Sequence, residues 1–241
     1  MKITWKTTLC RFSVLFLMGL MCQGTVYGLH PKIRSYSAEY LIKYGTFTVG
    51  KSTRQLKIDP NGFYTLTLDG KDTVPFLNLT THEHSRGTWN NGQIRPLDYE
   101  YKYQRGNKEK RTALTFDWNA KTVTDRIANK TLDLTLADHM HDNLSFQLAL
   151  RQDLLAGEKT LSYPVVRHGS SKIYDFKILG KETLHTRLGP LETLKVQRIK
   201  NKHTRTTFWL ATAYDYLVVR LEHRDDGELS GGEIVSVKYS S

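Results

Sequence analysis

Two pairs of histidines have a spacing that could place two imidazoles on one metal ion. His82 and His84 lie two residues apart, and His139 and His141 repeat this spacing just before Asp142. Residues two apart on a β-strand point to the same face, so each pair could supply two nitrogen ligands to zinc or copper. A complete site needs a third ligand, and nothing in the sequence fixes the spacing of one. We therefore predict that these histidines face solvent and that the protein uses no metal and no other cofactor.

Asp142 and Ser145 are a second pair of chemically capable residues. A serine nucleophile would need an exposed turn such as the Gly-x-Ser-x-Gly motif, which the sequence lacks. An Asp-x-x-Ser sequence at a helix start instead satisfies free backbone N–H groups, so capping explains the pair better. The glycines show no phosphate-binding pattern either. We predict that the protein is not an enzyme, although two carboxylates from distant strands would leave glycoside hydrolysis open.

Aromatic side chains are the third candidate, in this case for binding a ligand. Their apolar rings and polar edges suit an acyl chain or a sugar ring, and they also suit a hydrophobic core. The residues predicted to contact a ligand are Tyr99, Tyr101, Tyr103, Phe146 and Trp209.

Alternation of apolar and polar residues recurs along the chain and is typical of antiparallel strands with one buried face. Tyr36, Ala38 and Tyr40 alternate with Ser37 and Glu39, for example. Turn signals separate such segments: Pro60-Asn61-Gly62, Asn90-Asn91-Gly92, Arg105-Gly106-Asn107, Leu188-Gly189-Pro190, Asp226-Gly227 and Gly231-Gly232. We predict an all-β fold, a strongly curved antiparallel sheet or partly open barrel of about a dozen strands.

One segment, residues 142–156, has the pattern of a helix, with Asp142 or Asn143 as its cap and Gly157 as its end. Its apolar residues fall on two opposite sides: Leu144, Leu148 and Leu155 on one, Phe146, Leu150 and Leu154 on the other. A helix that is apolar on two sides is buried on two sides, so we predict that it lies against the concave face of the sheet. Arg151 belongs to the polar interruption between the two sides, and we predict that its truncation costs little stability.

The first 28 residues resemble a secretory signal peptide. Lys2, Lys6 and Arg11 precede an apolar run over residues 12–21, and Gly28 follows. This run is roughly half the ~20 residues that a membrane-spanning helix needs. We predict a signal peptide over residues 1–28, cleaved near Gly28, and a single β-rich domain over residues 29–241 in the periplasm.

Both cysteines, Cys10 and Cys22, lie in this leader, so the remaining domain has no disulfide. Lipidation of Cys22 is the alternative to cleavage after Gly28. The net charge of +11 becomes +8 for residues 29–241, because the leader has three basic and no acidic residues. This surplus favours a lipid, a lipoprotein or an anionic envelope polymer as partner. No basic and aromatic cluster indicates nucleic acid, and no segment after the leader is predicted to cross a membrane.

The chain resembles a known family over nearly all of residues 29–241. The similar segments are 40–45, 49–50, 116–118, 142–145, 189–196, 208–211 and 216–219, with Pro96, Tyr99, Leu148, Leu150, Gly180 and Glu182 between them. Their order and spacing resemble the bacterial "domain of unknown function" 3108 family of exported proteins. The resemblance implies a β-rich fold and residence in a Gram-negative envelope, and it supplies no chemistry.

The sequence favours a non-enzymatic binding or carrier domain for an apolar or amphipathic ligand of the cell envelope. Two alternatives remain open at this point. One is a module that interacts with cell-wall polysaccharide, and the other is a metal-binding or hydrolytic envelope protein.

Overall fold

The computed structural model describes residues 33–73, 79–90, 92–167 and 169–240. The predicted signal peptide and both cysteines lie outside these residues. Among the described residues, no helix is both long and apolar enough to span a membrane.

The described residues form fourteen strands, one α-helix and a short 3-10 helix. The strands are Tyr36–Tyr44 (β1), Phe47–Ile58 (β2), Phe63–Asp72 (β3), Leu79–Asn90 (β4), Gln93–Arg105 (β5), Lys108–Asp117 (β6), Thr122–Asp125 (β7), Lys130–Thr131 (β8), Leu161–Arg167 (β9), Ser170–Thr186 (β10), Gly189–Ile199 (β11), Arg205–Ala211 (β12), Leu217–Asp225 (β13) and Glu228–Tyr239 (β14). The α-helix is Ser145–Ala156 (α1), and the 3-10 helix is Thr212–Tyr214.

All fourteen strands belong to one antiparallel sheet that curls without closing. Its order is β8-β7-β6-β5-β4-β3-β2-β1-β14-β13-β12-β11-β10-β9, so two meanders meet where β1 pairs with β14. The chain passes from one edge of the sheet to the other through the segment that contains α1. The predicted curved antiparallel sheet is confirmed.

The edge of β9 is partly covered by this connecting segment. His141 donates its backbone N–H to the carbonyl oxygen of Pro164 and accepts from the N–H of Val166, each at 2.8 Å. These bonds satisfy part of an edge that would otherwise offer free backbone groups to another chain.

Helix α1 lies on the concave face and is buried on both sides, as predicted. Leu144, Leu148 and Leu150 are fully buried, and Phe146 and Leu154 are nearly so. The helix contacts β5 and β9, which belong to opposite arms of the sheet. It ends at Gly157, whose φ of 82° lies in the left-handed region that glycine adopts without strain.

The structure contradicts the placement of Arg151 on a polar side of the helix, because this side is also covered. Arg151 is 2% exposed, and its Nε donates to the carbonyl oxygen of Asp215 at 2.9 Å. Its guanidinium lies 5.1 Å from the ring centroid of Tyr36 on β1. The segment after the 3-10 helix and the first strand therefore enclose a residue that the helical pattern assigned to solvent.

The predicted turn at Gly231-Gly232 is also wrong, since both glycines lie inside β14. A Cβ atom at Gly231 would overlap the carbonyl oxygen of Leu221 on the neighbouring β13. Glycine is needed here for the close approach of two strands, and not for a reversal of the chain.

Candidate ligand-binding site

The start of α1 is capped by two side chains that bond each other's backbone. Asp142 Oδ1 accepts the backbone N–H groups of Leu144 and Ser145, at 2.7 and 2.8 Å. Ser145 Oγ in turn accepts the N–H of Asp142 at 2.9 Å. The predicted capping role of this pair is confirmed.

The helix start is also tied to the sheet by a buried set of polar side chains. Ser85 on β4 donates to Asp142 Oδ2 at 2.6 Å and contacts the hydroxyl of Tyr64 at 3.2 Å. Glu83, two residues earlier on β4, accepts from Tyr99 at 2.5 Å and from the Asn143 amide at 2.9 Å. These bonds fix the position of the first turn of α1 relative to β4.

Burial raises the pKa of both carboxyl groups in this polar set. It raises the pKa of Asp142 to about 6, against the bonds from Ser85 and from the helix backbone, which lower it. Burial likewise raises the pKa of Glu83, whose bonds from Tyr99 and Asn143 act in the opposite direction.

A cleft of about 380 Å³ opens beside the first two turns of the helix. Asn143 and Gln147 form its wall on the helix side, and Gln147 accepts a hydrogen bond from the buried Arg54 at 2.7 Å. The remaining walls come from the ends of β9 to β13. We call it the basic–aromatic cleft, after the residues described next.

Four aromatic rings form the floor of the basic–aromatic cleft: Phe146, Tyr174, Phe176 and Phe208. The Phe146 ring stacks on Phe176 at a centroid distance of 5.9 Å and meets Tyr174 edge-on at 5.4 Å. Phe176 meets Phe208 edge-on at 5.6 Å. This packing gives the cleft a rigid apolar surface.

Basic side chains form the rim: Arg167, Arg198, Lys200 and His223. The Arg198 guanidinium lies 3.4 Å from the ring centroid of Tyr174, so it joins the rim to the aromatic floor. Asp225 is the one acidic residue among the described residues that line the cleft, and it accepts a hydrogen bond from Thr204 at 2.5 Å. The rim therefore has more positive than negative charge.

Comparison with known families settles the membership of the chain. A family model described as "Protein of unknown function (DUF3108)" matches residues 39–230. The chain belongs to the DUF3108 family. The match includes α1 and all residues of the basic–aromatic cleft, and it confirms the family that the sequence resembles.

A solved structure supports the fold of this DUF3108 member. It is the crystal structure of a beta-barrel-like protein of the domain of unknown function DUF1849 from Brucella abortus. The two chains share 10% identity with a TM-score of 0.57, over 87% of this chain and 99% of that one. No curated protein gives a significant match to the sequence. At this identity, the likeness shows the fold alone.

The five aromatic residues predicted to contact a ligand lie in different places. Phe146 lines the basic–aromatic cleft. Tyr99 is buried and bonded to Glu83, while Tyr101 and Tyr103 follow it, half-buried, on β5. Trp209 is covered by Lys195 and Arg220, its partners across β11 and β13.

Most residues of the basic–aromatic cleft were not predicted from the sequence. Tyr174 and Phe176 are two apart on β10, and this spacing, which places both rings on one face of the strand, was the available signal. Arg198 lies near the end of β11 and Lys200 just after it, and the spacing on β10 does not show that the rings meet these basic residues.

The two histidine pairs do not come together. His82 is exposed and bonded to Asp69 at 2.6 Å, and His84 lies on the same face of β4. His139 is exposed, but His141 is 4% exposed, so the prediction that these histidines face solvent is wrong for His141. Both residues line a second pocket, beside the later half of α1. The described part of the chain contains no group of three His, Asp or Glu residues that could hold a metal ion.

Opposite pH effects are expected from Asp142 and His141. Burial lowers the pKa of His141 to about 3. Between about pH 6.5 and pH 3, His141 is therefore protonated in the unfolded chain but not in the folded chain, and the free energy of unfolding falls as the pH is lowered through this range. The pKa of Asp142 is about 6 in the folded chain and 3.8 at its ordinary value, so between these pH values the folded chain binds a proton at Asp142 that the unfolded chain does not. This group therefore raises the free energy of unfolding as the pH falls through that range.

The variants Asp142→Asn and His141→Gln should therefore separate the two effects in urea unfolding at pH 4.5 and 6. Asp142→Asn should lose more stability on acidification than wild type, by up to about 1.4 kcal/mol per pH unit. His141→Gln should lose less than wild type or gain stability. The exposed His185→Gln is the control. Identical pH profiles for all four proteins would contradict these protonation states.

Proposed function

We propose that the protein is a non-enzymatic binding or carrier domain for an amphipathic anion, a molecule with an acyl chain and a carboxylate or phosphate group. The single observation that carries the proposal is the basic–aromatic cleft, where four packed rings meet a rim of basic side chains. An apolar floor and a cationic edge match the two ends of such a ligand.

The apolar part of the ligand would lie over Phe176 and Phe208. These rings are nearly buried by one another and by the helix, so their remaining free surface is the floor of the cleft. A volume of about 380 Å³ falls within the range of roughly 300–1,000 Å³ that small-molecule sites have. An acyl chain would cover the small apolar surface that these rings leave free, since Phe176 and Phe208 are 7% and 4% exposed, and this burial is favourable.

The anionic part would lie against Arg198. Burial lowers the pKa of this guanidinium, and the nearby positive charge of Arg167 lowers it further, although Tyr174 and the carboxylate of Asp175 act in the opposite direction. Asp175 therefore balances only part of the positive charge of Arg167 and Arg198. A carboxylate or phosphate of the ligand would add countercharge through charge-assisted hydrogen bonds.

The proposed location is the periplasm. This part of the proposal rests on the leader-like sequence of residues 1–28 and on the basic surplus of the chain. Lipids and lipoproteins of the envelope are amphipathic, and they are the class of partner that such a cleft would serve.

A polysaccharide module has less support. It would need an exposed strip of aromatic rings, but Trp209 is 5% exposed and Trp89 and Trp118 are half-buried. No observation on the described residues favours hydrolysis either, since Asp142 and Glu83 are enclosed by their hydrogen-bond partners.

Titration with a fluorescent fatty acid, 11-(dansylamino)undecanoic acid, tests the proposal. We expect saturable binding, and we expect Arg198→Gln to raise the Kd about tenfold, the effect of one charge-assisted hydrogen bond. The matched control is Arg205→Gln, because Arg205 is exposed on β12 and alternates with the cleft residues Thr204 and Thr206. This control should bind as wild type does.

The methyl ester of the same probe separates charge recognition from simple apolar binding. It lacks the carboxylate, so it should bind more weakly to wild type and equally to wild type and Arg198→Gln. Equal affinity of acid and ester for wild type, or equal losses in Arg198→Gln and Arg205→Gln, would contradict the proposed site.

A further inference from the structure

A second pocket of about 340 Å³ lies near the other end of α1. It is formed by the later half of the helix, by residues 92–94, by β9, and by Asp138, His139 and His141 in the segment before the helix. None of its lining residues belongs to the basic–aromatic cleft. The two sites are therefore separate.

Two buried polar atoms in this second pocket find no hydrogen-bond partner among the described residues: Nδ1 of His141 and Oε1 of Gln152. The Gln152 amide nitrogen donates one hydrogen bond to the carbonyl oxygen of Gly92, and the amide oxygen is the unpartnered atom. Buried polar groups are almost always bonded, so two free ones in one pocket indicate a missing partner.

The residues that line the second pocket offer hydrogen-bond acceptors and negative charge, which favour a partner with donors and positive charge. Asp138 and Asp153 line the second pocket, whereas the described lining residues include no Lys or Arg. His141 is neutral at pH 7, since burial lowers its pKa to about 3. Asp153 accepts one hydrogen bond, from the Tyr163 hydroxyl at 2.8 Å, and a carboxylate can accept several. Asp138 pairs with Arg95 at 3.7 Å, so Asp153 is the carboxylate of the described lining that has no Lys or Arg partner.

We propose that the second pocket binds the primary ammonium group of a small amine. An ammonium group has three donors and no acceptor, and three residues that line the pocket, Asp153, Gln152 and His141, each have an atom that can accept a hydrogen bond. The volume leaves room for the rest of a small molecule, such as an amino sugar or the ethanolamine part of a lipid headgroup.

An NMR titration of the purified protein with glucosamine and with ethanolamine tests this proposal at constant ionic strength. The signals to follow are the Gln152 side-chain amide and the His141 ring. Glucose and ethylene glycol are the matched ligands without an ammonium group. We expect saturable shifts with at least one amine, with a Kd of about 1 mM, and none with the neutral pair. The amine that binds more tightly identifies the source as amino sugar or headgroup.

The variant Asp153→Asn removes the charge and keeps an acceptor for Tyr163, so the fold should persist and the Kd should rise at least about tenfold. Glu158→Gln is the matched control, because Glu158 is exposed, acts electrostatically on Asp153 and does not line the pocket. The proposal is overturned if neither amine gives saturable shifts, if the neutral ligands bind equally, or if Glu158→Gln weakens binding as much as Asp153→Asn.

Discussion

Leu148→Asp is expected to prevent folding, because it would place a carboxylate at a fully buried position on the helix that fills the curled sheet. An ionised group without a partner in such surroundings is very unfavourable. Leu148→Ala should fold but lose roughly 2–5 kcal/mol of unfolding free energy, from lost burial and from the cavity left behind. This loss is a large part of the typical 5–15 kcal/mol stability of a protein domain.

Urea unfolding of Leu148→Ala beside Leu179→Ala provides the measurement and its control. Leu179 is 45% exposed on β10, so its truncation should change stability by less than about 0.5 kcal/mol. Equal, mild losses in the two variants would mean that α1 is a surface element, and the enclosed-helix architecture would be wrong.

Arg151→Ala should be the second severe change, with a loss of roughly 2–5 kcal/mol, similar to that of a buried leucine. The substitution removes the side chain that packs over Tyr36 and the donor to the carbonyl oxygen of Asp215, whereas the carbonyl oxygen of Tyr214 keeps the hydrogen bond from the Tyr239 hydroxyl. Arg151→Met keeps most of the volume and removes a buried charge, so it should cost clearly less than Arg151→Ala.

Arg126→Ala is the comparison for Arg151→Ala. Arg126 pairs with Glu100 at 2.7 Å on the surface, where such a pair contributes about 0–1 kcal/mol. Thermal and urea unfolding should rank the three arginine variants in the order Arg151→Ala, Arg151→Met, Arg126→Ala. If Arg151→Ala lost as little unfolding free energy as Arg126→Ala, the conclusion that Arg151 is enclosed would be wrong.

The helix and the sheet could be predicted because their signals are local. The apolar pattern around Leu148 and the glycine stop at Gly157 both lie within one segment. The burial of Arg151 could not be predicted, because Asp215, whose carbonyl oxygen accepts its hydrogen bond, lies 64 residues further along the chain. Only the curling of the sheet brings the two together.

The cleft depends on strand register, which the sequence specifies less directly. Phe208 and Trp209 are adjacent aromatic residues, yet Phe208 lies in the cleft and Trp209 contacts Lys195 outside it. A shift of one residue exchanges the two faces of a strand, and β12 has an irregularity in its pairing between Trp209 and Leu210. An alternating pattern alone therefore could not tell which ring would meet a ligand.

The most direct test of the proposed function is a crystal structure of the protein with dodecanoate. We expect the carboxylate to lie against the guanidinium of Arg198 and the acyl chain to lie over Phe176 and Phe208, in the basic–aromatic cleft. Dodecanoate bound elsewhere on the protein, or an empty cleft in crystals grown at saturating dodecanoate, would contradict it.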